Sequence, residues 1–334
     1  MFKIVKTTDH PVVKTYMDII RNACIETGLG CKTVAYKQKQ DKKRDIIVTD
    51  SPLVSIYYII AGYKHHITWF QGISPEESYI KNKSKFRYRI LSLVEYIVLR
   101  RAQLLFFVSE KMKLFYEAKY NLKLDNKSYI MPCFNELSIY HDSFEIAKKF
   151  QKNKFIYIGS LSEWQCFNQT VELFSEIEKR SHSSVELHVL TSQKDKAIKI
   201  LKENKIKNFY VDYKQPQDLH DYIKDMKYGF ILRKNIDVNQ VATPTKLSNY
   251  LANGIIPIYS ECLDSFHRLN QQIQLGIPCN IEDGIARNAE KIIKHMEKDL
   301  KSKTVRDKCS LAFTSYYNKE KYVDEIMNKL SDLK

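Results

Sequence analysis

The sequence predicts two tandem α/β domains, each a mainly parallel sheet covered by helices on both faces. Three observations carry that prediction. Short apolar runs that read as buried strands alternate with helical patterns from residue 2 to about residue 131. A polar, composition-shifted stretch from about Asn135 to Lys154 interrupts the alternation, which restarts at Phe155. At 334 residues, with 44% hydrophobic and 12% aromatic content, the chain suits two cores better than one.

Residues 2–5 read as a strand, Thr7 to Pro11 as a turn, and the run to about Thr27 as a helix. Strand Asp45–Thr49 precedes helix Ser51–Ala61, and strand His66–Phe70 precedes a long helix from Lys83 to Arg101. Leu104–Val108 is followed by helix Glu110–Tyr120, with Ser109 as N-cap, then by the short strand Ser128–Met131. Beyond the linker come strand Phe155–Ile158 with a helix to Arg180, and Val185–Leu190 with a helix to Glu203. Phe209–Asp212 with a helix to Lys224 and strand Gly229–Leu232 follow. A helix then opens with Thr243 as N-cap and Pro244 at its first position, closes at Gly254, and leads into strand Ile255–Tyr259. Pro257 is tolerable there only near the strand's start or at an edge. The tail from Asp283 is helical by pattern. The expected domains are 1–140 and 150–315, with a last helix in 316–334.

The balance of 54 basic against 39 acidic residues gives a net charge of +15, which favours polyanionic partners without choosing among nucleotide diphosphates, nucleic acid and a membrane face. The seven cysteines are scattered with no Cys-x-x-Cys pair, as for reduced thiols, and the nine histidines form no metal pattern, so no metal site is expected. The start, MFKIVKTTDH, lacks a signal-peptide core, and no apolar run reaches ~18 residues. The expectation is a cytoplasmic protein, at most peripheral on the inner face of the plasma membrane. Neither half carries Gly-x-Gly-x-x-Gly after its first strand, which disfavours a dehydrogenase. Nucleic-acid binding is disfavoured too, because the basic residues are not interleaved with aromatics.

Ligands of doubly wound sheets sit beyond the carboxyl ends of the strands, so chemistry is sought there. Arg233 follows YGFIL, where its planar fork can hold a diphosphate, although a surface arginine fits the position equally. Lys246, Asn249 and Asn253 share a polar helix face, with Lys246 near the helix front; the same spacing describes a capped surface helix with a solvated lysine. Gly159 lets a ligand approach the backbone after FIYI, and Trp164 is a candidate to stack on a base or to serve as core. In the first half, Gln71 and Gly72 end a strand. Glu76 and Glu77 are acid or base candidates that also suit a helix N-terminus; His66, Asp9 and His10 are candidates to touch a ligand's polar groups, with a structural role as the alternative for each histidine. Residues 81–101 carry seven basic side chains beside Phe86, Ile90, Leu93 and Ile97, the pattern of a membrane-surface helix and equally of a core-facing helix with a basic outer face.

Pro244-Thr245-Lys246, then Tyr250-Leu251-Ala252, Gly254 and Pro257 resemble the C-terminal signature of GT-B glycosyltransferases similar to family four. Arg233 before that helix, FIYIGSL (155–161), HHITWFQGISPEES (65–78) and LFFVSEKMK (105–113) resemble other stretches of such enzymes, in the right order. The resemblance implies two Rossmann-like doubly wound domains facing across a cleft, and transfer of a sugar from a nucleotide diphosphate sugar, UDP or GDP, to a hydroxyl of a growing bacterial surface glycan. It implies retention without an obligatory metal, no cofactor, and a lipid-linked acceptor that makes membrane contact through 81–101 pertinent. By it, Arg233 and Lys246 act on the leaving diphosphate, with Gly159, Ser160, Trp164, Tyr213, Thr243, Thr245 and Asn249 around the donor. Gln71, Gly72, Glu76 and His10 lie on the acceptor side, and an inverting enzyme would take its base from that half, with Asp9, His10, His66 or Glu76 the first to test. The chain departs from the pattern at Ser160 and Gln165, where the family carries arginine and lysine, and at Asn249, where it carries a ribose-holding glutamate. A non-catalytic GT-B partner subunit is the alternative that these departures leave open.

Overall fold

The computed structural model describes residues 1–8 and 10–332. In chain order its elements are β1 (Phe2–Lys6), α1 (Pro11–Glu26), β2 (Cys31–Ala35), β3 (Ile46–Thr49), α2 (Pro52–Ile60), β4 (His65–Phe70), α3 (Ser74–Asn82), α4 (Lys85–Arg101), β5 (Leu104–Phe107), α5 (Glu110–Tyr120), β6 (Ser128–Ile130) and α6 (Asp142–Glu145). There follow β7 (Asn153–Ile158), α7 (Phe167–Arg180), β8 (Val185–Leu190), α8 (Lys194–Glu203), β9 (Phe209–Asp212), α9 (Leu219–Ile223), β10 (Tyr228–Ile231), α10 (Asp237–Gln240), α11 (Lys246–Ala252), β11 (Ile256–Ser260), α12 (Asp264–Ile273), β12 (Ile277–Cys279), α13 (Ile285–Met296), α14 (Ser302–Ser315) and α15 (Lys319–Ser331). They divide into two compact units. Unit 1 comprises 1–135, 240–244 and the chain from 318; unit 2 comprises 136–239 and 245–317.

Unit 1 is built on a six-stranded sheet of order β2-β1-β3-β4-β5-β6, parallel throughout. Its central strands are apolar because helices cover both faces: all four residues of β5 (LLFF) are buried. Helix α1 is fixed on the sheet by Tyr16, whose ring stacks on Trp69 with centroids 3.8 Å apart and whose hydroxyl donates to the Met131 carbonyl at 2.8 Å. Ser109 caps α5 as expected, accepting from the Met112 N–H at 3.1 Å, and Ser51 caps α2 in the same way. Helix α15 packs on α1, and Tyr129 donates to the Glu325 carboxylate at 2.6 Å. The expected long basic helix begins at Lys85, after a separate α3 that ends at left-handed Lys83. The edge strand β2 (CKTVA) escaped the sequence reading because only Val34 of its five residues is buried.

Unit 2 carries a second parallel six-stranded sheet, β12-β11-β10-β7-β8-β9. Counted from β7 and read from the β9 edge, the strand order is 3-2-1-4-5-6, that of a doubly wound Rossmann sheet. The order reverses between β7 and β10; in unit 1 it reverses between β1 and β3. Helix α11 lies on β10 because Gly229 leaves room for Tyr250: a Cβ at 229 would sit 2.4 Å from the tyrosine ring. Pro257 is the second residue of β11, an interior strand, and is accommodated by that place near its start. The helix itself is shorter than expected. It starts at Lys246, with Thr245 as an N-cap that makes no side-chain cap bond, whereas the Thr243 hydroxyl accepts from the Cys133 N–H at 3.0 Å within unit 1. Thr243 is therefore not the helix cap.

Candidate functional site

In an open parallel sheet, the crevice at the reversal of strand order is the ready-made ligand site. In unit 2 the first strand of that pair, β7, runs into Gly159. A Cβ there would lie 2.5 Å from Gln165 Oε1 and 2.7 Å from Lys246 Nζ, so glycine is what allows both side chains to converge on the backbone. Lys246 donates to Gln165 Oε1 at 3.3 Å, and Gln165 Nε2 donates to the Ser160 hydroxyl at 2.9 Å. The Ser160 carbonyl in turn accepts from Tyr157 at 2.7 Å. Ser160 and Gln165 thus form a neutral cradle around Lys246.

The second strand, β10, continues through Leu232 to Arg233, which is 8% exposed. Its backbone N–H donates to the Ser260 hydroxyl and its Nη1 to the Leu232 carbonyl, both at 2.8 Å. Burial lowers its proton affinity, and no carboxylate is among the groups that offset this. Desolvation, followed by the charge of Arg233, pushes the Lys246 ammonium down to about 7. The crevice therefore holds two mutually repelling cations with no acid partner among the described residues, an arrangement that an oligoanion relieves. Arg233 also opens onto a cavity of about 450 Å³ lined by Ser260, Glu261, Cys262 and Asn280 at the ends of the neighbouring strands.

One helical turn beyond Lys246, the buried Asn249 donates to Glu136 Oε1 at 2.6 Å, while Tyr140 donates to Glu136 Oε2 at 2.7 Å. Glu136 was missed by the sequence reading, because a single acidic residue in a linker gives no signal. Asn253 is buried and structural, bonded to Ser143 and to His220 at 2.7 Å. Trp164 is half-buried in a turn before α7, where its carbonyl accepts from the buried Asn239 of α10. Tyr213 is 48% exposed beyond β9, the edge strand two places from β7.

At the reversal in unit 1, Asp50 follows β3 and is 4% exposed. The Thr7 hydroxyl donates to its Oδ2, while its Oδ1 has no hydrogen-bond partner among the described residues. Burial raises its carboxyl above the usual range. Asp50 lines a cavity of about 260 Å³ together with Thr7, Thr8, Lys14 and Arg21. The strand-end rule would have picked it out of DIIVTD, had it been applied at that strand. Gln71 donates to the Asp50 carbonyl at 2.7 Å, and the Gly72 carbonyl accepts from Tyr116 at 2.9 Å.

Other first-half candidates fall elsewhere. His66 is buried near the start of β4, the end away from Gln71, with Nε2 against the Tyr63 carbonyl at 2.7 Å; it does not sit with the strand-end groups. Glu76 is held by Lys119 at 2.8 Å and Tyr88 at 2.9 Å, which makes it a tie between helices rather than a free base. Glu77 instead points at Gly72, where a Cβ would lie 2.1 Å from its Oε1. His10 is exposed ahead of α1, and Asp9 lies outside the described residues. Among the described residues no three His, Cys, Asp or Glu side chains gather as a metal site.

By sequence the chain matches no protein-family model and no curated protein. By structure it is similar to WaaG, a glycosyltransferase involved in lipopolysaccharide biosynthesis, with TM-score 0.66, 11% identity, and 98% of this chain and 99% of that one covered. It is similar to Anabaena HepE in complex with UDP and glucose, with TM-score 0.70, 8% identity and 99% of both chains covered. It is also similar to a variant of S. aureus TarM in complex with fondaparinux, alpha-GlcNAc-glycerol and UDP, with TM-score 0.65 and 11% identity. That match covers 85% of this chain, which spans about half, 55%, of the TarM chain. Two six-stranded parallel sheets, matched over nearly the whole chain, give this protein the two-domain GT-B fold.

Proposed function

We propose that the chain is a glycosyltransferase that moves a sugar from a nucleotide diphosphate sugar to a hydroxyl of a growing bacterial surface glycan of capsule, O-antigen or lipopolysaccharide type. The observation that carries the reading is the pair of cations, Arg233 and Lys246, at the β7/β10 reversal with no carboxylate between them. A diphosphate matches them in charge, and Arg233 supplies a planar fork for it. UDP is the first choice of nucleotide, since the similar HepE and TarM structures hold UDP, with GDP second.

In this reading the bond from the sugar's anomeric carbon to the diphosphate breaks while the acceptor oxygen bonds the same carbon with retention. The negative charge gathering on the departing diphosphate is met by Arg233 and Lys246, and that is where such a site gains most. The acceptor's proton passes to the departing phosphate oxygen, so atoms and charge balance without a separate base. Asn249 and Glu136 form a carboxylate and amide pair suited to a nucleotide's ribose hydroxyls. On unit 1, Asp50, Thr7 and Gln71 suit the acceptor's hydroxyls. The acceptor is lipid-linked, and the protein works peripherally on the inner face of the plasma membrane.

A thermal-shift screen against UDP, GDP, CMP and their sugars, with wild type beside Lys246→Ala, tests this. A ligand specific to the folded state adds ~2.7 kcal/mol at a hundredfold excess over its Kd. The expected result is a shift with UDP and UDP-sugars that the variant loses. Wild type that shifts with no nucleotide would overturn the donor site and leave a non-catalytic partner subunit as the better account.

A further inference from the structure

The cavity beside Asp50 in unit 1 is walled by α1 on one side and by β2 on the other: Met17 and Arg21 of the helix and Thr33 of the strand line it. Both rows continue past the cavity to a cysteine. On α1, Met17, Arg21 and Cys24 stand at i, i+4 and i+7 and share a face. On β2, Cys31 and Thr33 share the face opposite Val34, which packs instead with Ile47 and Tyr58. Between helix and strand the chain turns through Gly28 and Gly30, both left-handed with φ 73° and 79°, so the last turn of α1 returns against the first residue of β2.

The two thiols meet there, Cys24 donating a hydrogen bond to the Cys31 sulfur. Their surroundings are unequal. Cys24 is fully buried, whereas Cys31 is only half-buried and opens the edge strand, within reach of a small solute. The bond from Cys24, assisted by the Arg21 guanidinium, holds the Cys31 thiol below the usual cysteine range in spite of its partial burial. The same bond and full burial hold Cys24 well above that range. One cysteine is thus an accessible nucleophile and the other a shielded partner in contact with it, as in a peroxide-reactive thiol beside its resolving thiol. The glycosyl transfer described above uses neither.

We propose that Cys24 and Cys31 form a reversible redox site for hydroperoxides, and that their disulfide fastens α1 to β2 along the Asp50 cavity. The Cys31 thiolate attacks one peroxide oxygen. An S–O bond forms, the O–O bond breaks, and the other oxygen leaves as an alcohol, or as water from hydrogen peroxide, after taking up the proton that Cys31 had released. The Cys24 sulfur then attacks the Cys31 sulfur, and the S–S bond forms as the hydroxyl departs with the Cys24 proton as water. Two thiols lose two electrons and two protons, and the peroxide takes up both. A thiol reductant returns the pair to its starting state by exchange. Only the consequence for an acceptor beside Asp50 rests on the function proposed above; the redox site does not, and its test contains no nucleotide or sugar.

Trypsin, cutting after Arg21 and Lys32, leaves both cysteines in the single peptide 22–32. The reduced protein is treated with hydrogen peroxide, unfolded in iodoacetamide and digested. The peptide should pass from two labels to none, two hydrogens lighter than the unlabelled dithiol, and dithiothreitol should restore both labels. Cys24→Ser, whose hydroxyl keeps the hydrogen bond, should stop at a Cys31 sulfenic acid that dimedone traps, and Cys31→Ser should leave Cys24 unoxidised. In the bridged protein, amide hydrogen exchange over the end of α1 and the start of β2 should slow about tenfold or more. A wild-type peptide that keeps both labels, or that reaches a sulfinic acid on Cys31 in place of the bridge, overturns the proposal. So does a bridge that leaves exchange unchanged, since it would not fasten the cavity wall.

Discussion

The two sheets share a winding scheme, yet the groups at their reversals have opposite character. Unit 2 places Arg233 and Lys246 beyond β10 and near Gly159, two cations without an acid. Unit 1 places Asp50 beyond β3, a buried carboxylate with one oxygen unmatched, in a cavity that it shares with the Thr7 and Thr8 hydroxyls and with Lys14 and Arg21. A fold that puts loops at equivalent places can thus supply the chemistry for a polyanion in one half and for hydroxyl groups in the other. The fold is common to both halves; the difference lies in a handful of strand-end residues.

Removing Arg233 should give the largest effect and should separate a ligand site from a structural one. A buried guanidinium without a carboxylate costs the folded state free energy in the absence of ligand. Arg233→Met should leave the unliganded protein as stable as wild type or more so in urea unfolding, because no ion pair is broken. UDP affinity should fall about a thousandfold, by ~4 kcal/mol, as when one partner of a buried charge pair is truncated. If Arg233→Met instead unfolds the protein while the remaining fold still binds UDP, the cation is structural and the contrast between the halves disappears.

Asp50→Asn probes the other half and should spare the donor. It keeps the shape and removes the charge, so UDP binding measured by calorimetry should not change. Turnover with a glycan acceptor should fall about a hundredfold, the scale at which a positioned carboxylate acts on a hydroxyl. A variant with full turnover would remove Asp50 from the acceptor side, and one with weakened UDP binding would show that the two reversals do not divide the work.

The alternation of strands and helices was legible because a parallel sheet covered on both faces writes continuous apolar runs such as LLFF and IPIY. The half-exposed β2 and the three-residue β12 were not, since neither has a run long enough to stand above its flanks. Arg233 and Gly159 were legible from their places at strand ends, Lys246 from the front of its helix, and all three from the resemblance of their neighbours; they stand in one unit near one reversal. Glu136 was not singled out, because its value comes from a partner far along the chain, Asn249; Asp50 has a sequence signal of its own, its place just beyond β3, but the strand-end rule was not applied at that strand. Glu76 misled for the converse reason, since its pattern is that of a catalytic acid but Lys119 and Tyr88 already hold it. Burial direction was the other ambiguity: the period of Phe86, Ile90 and Leu93 defines a face but not which side of the helix meets the sheet.

The smallest effect is a pH dependence, and it tests whether the two cations of unit 2 act as a pair. Unliganded, Lys246 titrates at about 7, against 10.5 for an ordinary lysine in the unfolded chain. Between those values the unfolded chain holds a proton that the native site has released, so on this account the unliganded protein gains stability as pH rises through the window. Diphosphate binding runs the other way, because the anion needs Lys246 charged. Above pH ~7, with the terminal phosphate already ionised since its pKa is ~6, each complex must take up a proton. UDP affinity should therefore fall by up to about tenfold per pH unit between 7 and 9, and calorimetry in buffers of different ionisation heat should show close to one proton taken up. Lys246→Arg should flatten both, since guanidinium stays charged throughout. Arg233→Met should weaken them only in part, since it removes the neighbouring charge but leaves the burial that is the larger cause of the Lys246 depression. Affinity that stays level from pH 7 to 9 with no proton uptake would mean that Lys246 does not face the phosphates, and the donor site would rest on Arg233 alone.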